Sequence, residues 1–169
     1  MDVDTFKSRY LGFHPKLYRI ALALTDDAAE SEDLLQELYA KLWSRRAGLE
    51  TVQNPEAFAV ALLKNLCIDY LRSPRGTPGR MVGIDILTQA EAGSETYRPE
   101  EADEVKRVKQ LIDRLPDNQR TVIRLRAMGD CSTTEIAGIT GLTETNIRSL
   151  LLRARRSIKE KLYPQTAAI

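Results

Sequence analysis

The residues best suited to recognise another molecule lie in a basic segment near the end of the chain. Residues 144–161 hold six Lys or Arg against two Glu, although the chain of 169 residues has a formal net charge of only +1. At about 100° per residue, a helix through this segment has a polar face opposite an apolar stripe. Guanidinium groups bind phosphates and guanine edges, and an exposed aliphatic side chain suits a thymine methyl group. The pattern predicts a DNA-binding face made of Thr145, Arg148, Ser149, Leu152, Arg153 and Arg156.

The residues before this segment indicate how it is presented. Ser132 and Glu135 have the spacing of a capping box and begin a short helix that ends near Thr140. Gly141 then suits a tight turn, and Thr143 caps the basic helix. A short helix, a glycine turn and a longer basic helix form a helix-turn-helix. The alternative is a solvated basic surface, which the combination of these three features disfavours.

A second group of polar residues interrupts an otherwise apolar helix. Asn54 and Pro55 are typical of a helix start, and the apolar run that follows continues to Leu71. Asn65, Asp69 and Arg72 share one face, and Lys64 lies to one side of it. Such groups can contact bases or backbone phosphates. They can equally be the solvent-facing strip of a helical bundle, with Asp69 paired to Arg72, and spacing alone favours this second interpretation.

Helical periodicity extends over most of the chain and sets its organisation. Apolar residues recur at helical spacing outside residues 73–99, and strand signals are scarce. Within that interval, Gly, Pro and acidic residues replace large apolar ones, which is typical of a linker. The sequence predicts an all-α protein with two small helical domains, residues 1–73 and 100–163, joined by a flexible linker at 74–99.

Composition argues against several classes of protein. No uncharged run approaches the roughly 18 residues of a membrane-spanning helix, and acidic residues stand where a secretory signal would be basic. We therefore expect a cytoplasmic protein without membrane insertion. Cys67 and Cys131 fit neither a disulfide framework nor a metal knuckle, so we expect both to be reduced. With one His and no phosphate-binding or metalloprotease motif, we predict no catalytic residue, metal or cofactor.

Four segments together resemble a known family, the extracytoplasmic-function group of bacterial sigma-70-type transcription initiation factors. Residues 30–43 (ESEDLLQELYAKLW) and 63–72 (LKNLCIDYLR) resemble motifs of the family's region two. Residues 115–126 (LPDNQRTVIRLR) and 145–155 (TNIRSLLLRAR) resemble motifs of region four. Four matches in the right order and at the right spacing are specific.

This resemblance implies a non-enzymatic subunit that binds core RNA polymerase, directs it to particular promoters and helps to open the duplex. It implies that an anti-sigma factor is a further partner. Asp33, Leu34, Gln36 and Glu37 would bind the polymerase. The loop at 47–53 and the helix with Lys64, Asn65, Asp69 and Arg72 would recognise the minus-ten element, and residues 1–73 would then be region two. The basic helix of region four would enter the major groove of the minus-thirty-five element.

The sequence departs from the family pattern at three positions. Leu150 stands where Arg is usual, Leu152 replaces a common His, and Phe58 replaces the usual Trp. The minus-thirty-five preference therefore cannot be transferred from relatives. The competing hypothesis is a helix-turn-helix regulator that binds DNA without polymerase, but residues 1–72 lack the alternating strands and helices of a receiver domain.

Overall fold

The computed structural model describes residues 1–73 and 99–164, and within them every side chain except those of 99–102. These residues form eight α-helices and two 3₁₀ segments and contain no strand, so the all-α prediction is confirmed. The predicted linker at 74–99 lies outside the described residues, apart from Pro99, where α5 begins. The helices are α1 (Val3–Tyr10), α2 (His14–Thr25), α3 (Ala28–Ser44), α4 (Pro55–Arg72), α5 (Pro99–Asp113), α6 (Asp117–Ala127), α7 (Thr133–Thr140) and α8 (Glu144–Leu162), and the 3₁₀ segments are Leu11–Phe13 and Arg46–Thr51.

Helix starts follow the capping residues of the sequence closely. The Asn54 side chain accepts a hydrogen bond from the Ala57 amide, 3.1 Å away, as predicted for α4. Ser132 and Glu135 satisfy each other's backbone amides in the predicted capping box. Gly141 follows α7 with φ of 79°, a left-handed conformation that suits glycine. Local hydrogen bonding thus fixes both ends of the turn between α7 and α8.

Helices α2 and α3 are separated by a two-residue turn. Thr25 is the last residue of α2, and its hydroxyl donates to the Ala21 carbonyl. Asp26 ends α2 in the left-handed region, with φ of 57°. Asp27 is the N-cap of α3, and its side chain accepts from the Glu30 amide at 3.0 Å.

Helix α1 was not predicted from the sequence. Asp2 caps this helix, and Phe6 and Tyr10, one turn apart, are buried in the core. The Phe6 ring meets Trp43 of α3 edge to face, with centroids 5.2 Å apart. These aromatic contacts help to hold α1 against its neighbours, and α1–α4 form a four-helix unit.

Both halves of the chain contribute to one continuous cluster of buried apolar residues. Within it, α2 and α3 pack on α4, and α6 packs on α8. Contacts also join the halves, because α2 lies against α6 and α4 against α7. Cys67 and Cys131 are free thiols within this cluster, as expected. None of the helices in the described residues is long and apolar enough to cross a bilayer.

Candidate nucleic-acid and polymerase interface

Helix α8 presents one side to the core and the other to solvent. Ile147, Leu150, Leu151 and Ala154 are buried, as expected for an apolar stripe on one side of the helix. Among the predicted DNA-binding residues, Ser149 is half-buried and the others are exposed, with Leu152 58% exposed. Burying the exposed apolar surface of Leu152 against a partner would be favourable, because it removes that surface from water. The exposed residues on this face are Thr145, Arg148, Leu152, Arg153 and Arg156.

The rest of the helix-turn-helix holds α8 in place. The Thr143 side chain accepts from the Asn146 amide and caps α8. The Thr134 hydroxyl, at the start of α7, donates to the Glu144 carboxylate at 3.1 Å and joins the two helices. Glu144 also lies 3.9 Å from Arg148, on the exposed surface. The first turn of α8 is therefore bonded to α7, and the exposed face of α8 continues beyond this contact.

The polar stripe on α4 lies opposite a packed face. Leu63, Leu66, Cys67 and Tyr70 are buried on one side, and Asn65, Asp69 and Arg72 are all exposed. Lys64 is half-buried, and its Nζ donates to the Gly138 carbonyl of α7 at 3.3 Å. Asn65, Asp69 and Arg72 are thus accessible to a partner, whereas Lys64 contacts α7.

The loop before α4 is positioned by α1, which sequence reasoning missed. The Arg9 guanidinium donates to the Val52 carbonyl at 2.8 Å and to the Leu49 carbonyl at 3.4 Å. The Leu49 side chain is 2% exposed and anchors the same segment. At its start, the Arg46 guanidinium lies 4.3 Å from the centre of the Trp43 ring. Arg46 is exposed and adds a cation beside the loop at 47–53, which the resemblance assigns to the minus-ten element.

The predicted polymerase-binding residues divide between the surface and the core of α3. Asp33, Gln36 and Glu37 are exposed on one face, and Glu32 extends this acidic surface. Leu34 is 2% exposed and packs inside the four-helix unit. Leu34 therefore anchors α3 in the core and is not part of its exposed face. That face consists of carboxylates and one amide.

An ion-pair network joins the halves beside these surfaces. Lys16 of α2 lies 2.7 Å from Glu56 of α4 and also contacts Glu135 of α7. Burial disfavours the charged form of Lys16, but its bonds to Glu135 and Glu56 outweigh this and raise its pKa. Burial likewise opposes the charge on Glu135, whose pKa is nevertheless lowered by Lys16 and the Ser132 amide. Motif spacing gave no signal for this contact between distant segments.

Two family models match the chain, one in each half. The Sigma-70 region 2 model matches residues 10–77, and the model described as Sigma-70, region 4 matches residues 106–158. The first match includes the exposed face of α3 and the stripe on α4, and the second includes the helix-turn-helix. Together the two matches cover most of the chain, in the order found in the family.

Similar proteins include two curated relatives and one solved structure. The chain is 29% identical to RfaY of Xanthomonas campestris pv. campestris, named as a probable RNA polymerase sigma factor, over 85% of this chain but only 36% of that protein. It is 29% identical to the ECF RNA polymerase sigma factor SigM of Bacillus subtilis, over 94% of both proteins. The sigma factor RpoE, in its complex with the anti-sigma factor NepR from Bartonella quintana, superposes with a TM-score of 0.63 at 26% identity. That match covers 95% of this chain and 98% of RpoE.

Proposed function

Because this chain belongs to the sigma-70 family of RNA polymerase sigma factors, in its extracytoplasmic-function group, we propose that it initiates transcription by directing core polymerase to specific promoters. The observation that carries this proposal is the presence of two separate polar surfaces, one on each half. The stripe on α4 and the face of α8 are both exposed on helices whose other sides are packed. A regulator that bound only duplex DNA would need only the second surface.

The acidic face of α3 is the proposed docking site for core polymerase. Asp33 and Glu37 are exposed one turn apart, with Gln36 beside them, so they can meet a basic partner surface together. Leu34 contributes from the core, by fixing the position of the helix. Charge complementarity of this kind mainly accelerates and orients association.

The α4 surface is the proposed site for the minus-ten element. Asn65, Asp69 and Arg72 offer amide, carboxylate and guanidinium groups to the polar edges of an unstacked base, and Lys64 provides a cation for the backbone. Arg46, at the start of the adjoining loop, adds positive charge for the same strand. These groups suit single-stranded DNA, which exposes base edges that a duplex hides.

The exposed face of α8 is the proposed reader of the minus-thirty-five element in the major groove. Arg148 and Arg153 are placed to bind phosphates or guanine, and Leu152 to contact a thymine methyl group. Thr145, Ser149 and Arg156 complete the surface. Leu152 makes the preferred base sequence particular to this chain.

The partners proposed for the chain are core RNA polymerase, promoter DNA and an anti-sigma factor. The last rests on the structural likeness to RpoE, which was solved with NepR. We assign the chain no catalytic step of its own and place its action in the cytoplasm, where polymerase and promoters are found. The proposed function requires only binding, to promoter DNA through the α4 and α8 surfaces and to core polymerase through the α3 face.

In vitro transcription tests the proposal directly. Core polymerase with this protein should produce transcripts from a subset of a genomic promoter library, and core polymerase alone should not. Asp33→Lys should reduce polymerase binding while the helical circular-dichroism spectrum stays unchanged, because it reverses one charge of an exposed face.

Asp103→Lys is the matched control, because Asp103 is an exposed acid on α5, away from the α3 face. It should bind polymerase like the wild type. Promoter binding without any polymerase-dependent transcription would instead support the regulator that acts on duplex DNA alone.

A further inference from the structure

An arginine of α1 holds the loop at 47–53, which the family resemblance assigns to the minus-ten element. The Arg9 guanidinium donates to the Val52 carbonyl at 2.8 Å and to the Leu49 carbonyl at 3.4 Å. These partners are 43 and 40 positions away in the sequence, so the two bonds connect α1 to a distant part of the first half. Arg9 is half-buried, and water therefore competes with its bonds less than it would at an exposed site.

The loop at 47–53 has an inward side and an outward side. Leu49 is 2% exposed, and Val52 is half-buried against the apolar cluster. Thr51 and Gln53 are exposed next to these two anchors. The carbonyls that Arg9 bonds belong to the anchors, so the arginine acts on the inward side of the loop. The outward side stays accessible to a partner.

The two carbonyls lie where the 3₁₀ segment Arg46–Thr51 ends. Carbonyls at the end of a helix lack partners within it, and a basic side chain can satisfy them. The Leu49 carbonyl also accepts from the Val52 amide at 3.1 Å. Among residues 1–73 and 99–164, Arg9 is the only donor to the Val52 carbonyl. Without Arg9 this carbonyl needs water as its partner, and the backbone of the loop must turn to reach it.

Packing holds α1 in place independently of these hydrogen bonds. Phe6 and Tyr10 are buried, and the Phe6 ring lies 5.2 Å from the Trp43 ring between centroids. Burial of large aromatic side chains contributes more to stability than one hydrogen bond does. Loss of the Arg9 guanidinium should therefore leave α1 packed and release only the loop.

A second contact to the same loop is exposed and contributes less. The amino group of Met1 lies 2.9 Å from the Glu50 carboxylate, and the Glu50 side chain is 61% exposed. Exposed ion pairs add little to stability, because water screens them. The half-buried bonds of Arg9 are therefore the stronger restraint on the loop.

We propose that Arg9 is a positioning residue for promoter opening, which holds the loop at 47–53 in the conformation that captures an unstacked base. The proposal rests on the function proposed above. Arg9 acts through the loop, since its guanidinium bonds the inward carbonyls. Capture of an unstacked base stabilises the opened duplex, and a loop already held in place loses less conformational entropy on binding. Arg9 thereby increases the rate of opening and leaves polymerase binding unchanged.

Hydrogen exchange of the free protein, followed by mass spectrometry, measures the effect on the loop. Arg9→Met removes the guanidinium and keeps an unbranched side chain. Lys7→Met is the matched control, because it removes one exposed positive charge from the same helix. Exchange of the amides in 47–53 should be about tenfold faster in Arg9→Met, since charge-assisted bonds to the loop are lost. It should stay at the wild-type rate in Lys7→Met, and exchange in α3 should be equal in all three proteins.

Opening kinetics measure the effect on function. On a promoter selected from the library, the dependence of the opening rate on the concentration of the polymerase complex separates duplex binding from opening. Arg9→Met should lower the limiting rate at saturation about tenfold, because the loop is no longer held in place for capture. A variant that was only less folded would reach the wild-type limiting rate at a higher concentration. Arg9→Lys should give an intermediate rate, since an ammonium cannot reproduce the planar guanidinium fork.

Unchanged exchange at 47–53 in Arg9→Met would overturn the restraint on the loop. Faster exchange with a wild-type limiting rate would overturn the role in opening, and so would an equal loss of rate in Lys7→Met. If the wild-type protein opens no promoter, the proposed function fails and this role with it, and the exchange result shows separately whether Arg9 holds the loop. Should Arg9→Met lose its helical spectrum, Arg9→Lys replaces it in both measurements, and wild-type values would then overturn the proposal.

Discussion

Arg148 and Arg153 differ in their surroundings, although both lie on the exposed face of α8. Arg148 is near Glu144, whereas the part of the chain that the structure describes shows no ion pair for Arg153 within 4.0 Å. Substitution of Arg153 therefore reports on DNA contact with little effect on the protein. Arg153→Ala should weaken binding to a selected minus-thirty-five duplex by about 1–3 kcal/mol if the side chain contacts a base edge.

A fluorescence-anisotropy titration at several salt concentrations distinguishes the two kinds of contact. If Arg153 binds a phosphate, the variant should show a shallower dependence of affinity on salt. Arg114→Ala, an exposed arginine on the connection after α5, is the control and should bind like the wild type. Unchanged affinity and salt slope in Arg153→Ala would exclude this side chain from the DNA surface.

Asn65 tests the second DNA surface, since its amide is exposed on the α4 stripe. Asn65→Ala should slow open-complex formation on duplex promoters and be partly rescued on templates with a premelted minus-ten bubble, because capture of an unstacked base contributes to melting. Potassium permanganate footprinting measures the opening. Wild-type opening on both templates would remove Asn65 from the melting surface.

At the scale of the helices, the turn between α7 and α8 offers a paired test of backbone conformation. Gly141 has φ of 79°, and a Cβ there would meet no atom within 4 Å, so only the backbone opposes a side chain. Gly141→Ala should lower the free energy of unfolding by about 1–2 kcal/mol. Gly138 lies inside α7 with equally open space, and Gly138→Ala should raise that free energy by about 0.5–1 kcal/mol.

Urea denaturation of the two variants measures these opposite effects. Loss of stability in both would mean that the space around α7 is tighter than the structure shows. Because neither substitution removes a hydrogen-bonding group, the opposite signs separate the left-handed turn at Gly141 from the helix interior at Gly138.

Local signals explain which elements could be predicted from the sequence. Asn54 with Pro55, and Ser132 with Glu135, each fix a helix start through contacts within a few residues, so α4 and α7 were predicted well. Helix α1 was missed because it is short, and its stability comes from packing of Phe6 on Trp43, 37 positions away. The burial of Leu34 could not be predicted for a similar reason, since a motif identifies a helix but not which of its side chains are buried by other helices.

At the scale of the whole molecule, the contacts between the two halves of the chain could not be predicted from the sequence. The residues of the Asp26 and Arg124 pair are separated by 98 positions, and each alone resembles an ordinary surface charge in the sequence. Hydrophobic periodicity shows that each helix has a packing face but not which half of the chain covers it. The division into residues 1–73 and 100–163 stays a prediction, and the contacts between the halves are an addition to it.

The ion pairs of Lys16 with Glu56 and Glu135 predict how the stability of the folded chain depends on pH. The lowered pKa of Glu135 means that its contribution is present above its ordinary value near 4.5 and is lost as pH falls through the lower folded value. Lys16, with a raised pKa, contributes fully below its ordinary value of 10.5. The wild type should therefore exceed Lys16→Gln in unfolding free energy by up to about 1 kcal/mol near pH 7.

That difference should shrink as pH falls below about 4.5, because Glu135 is protonated first in the unfolded chain and then in the folded one. Comparing the two proteins removes effects common to both, including Asp113, whose pKa is raised by burial despite Arg124. Denaturation at a series of pH values gives the measurement. A difference that stays constant until the protein unfolds in acid would show that Glu135 does not contribute through its charge.

The continuous apolar cluster determines how the chain should melt. Residues of both halves belong to it, so heating the protein cannot expose one half without disturbing the other. Calorimetry should give a single cooperative transition whose van't Hoff and calorimetric enthalpies agree. A half without its neighbour would keep only its own share of buried surface, and small units of that size are marginally stable. Either half expressed alone is thus expected to be shorter-lived against heat and proteases than the whole chain.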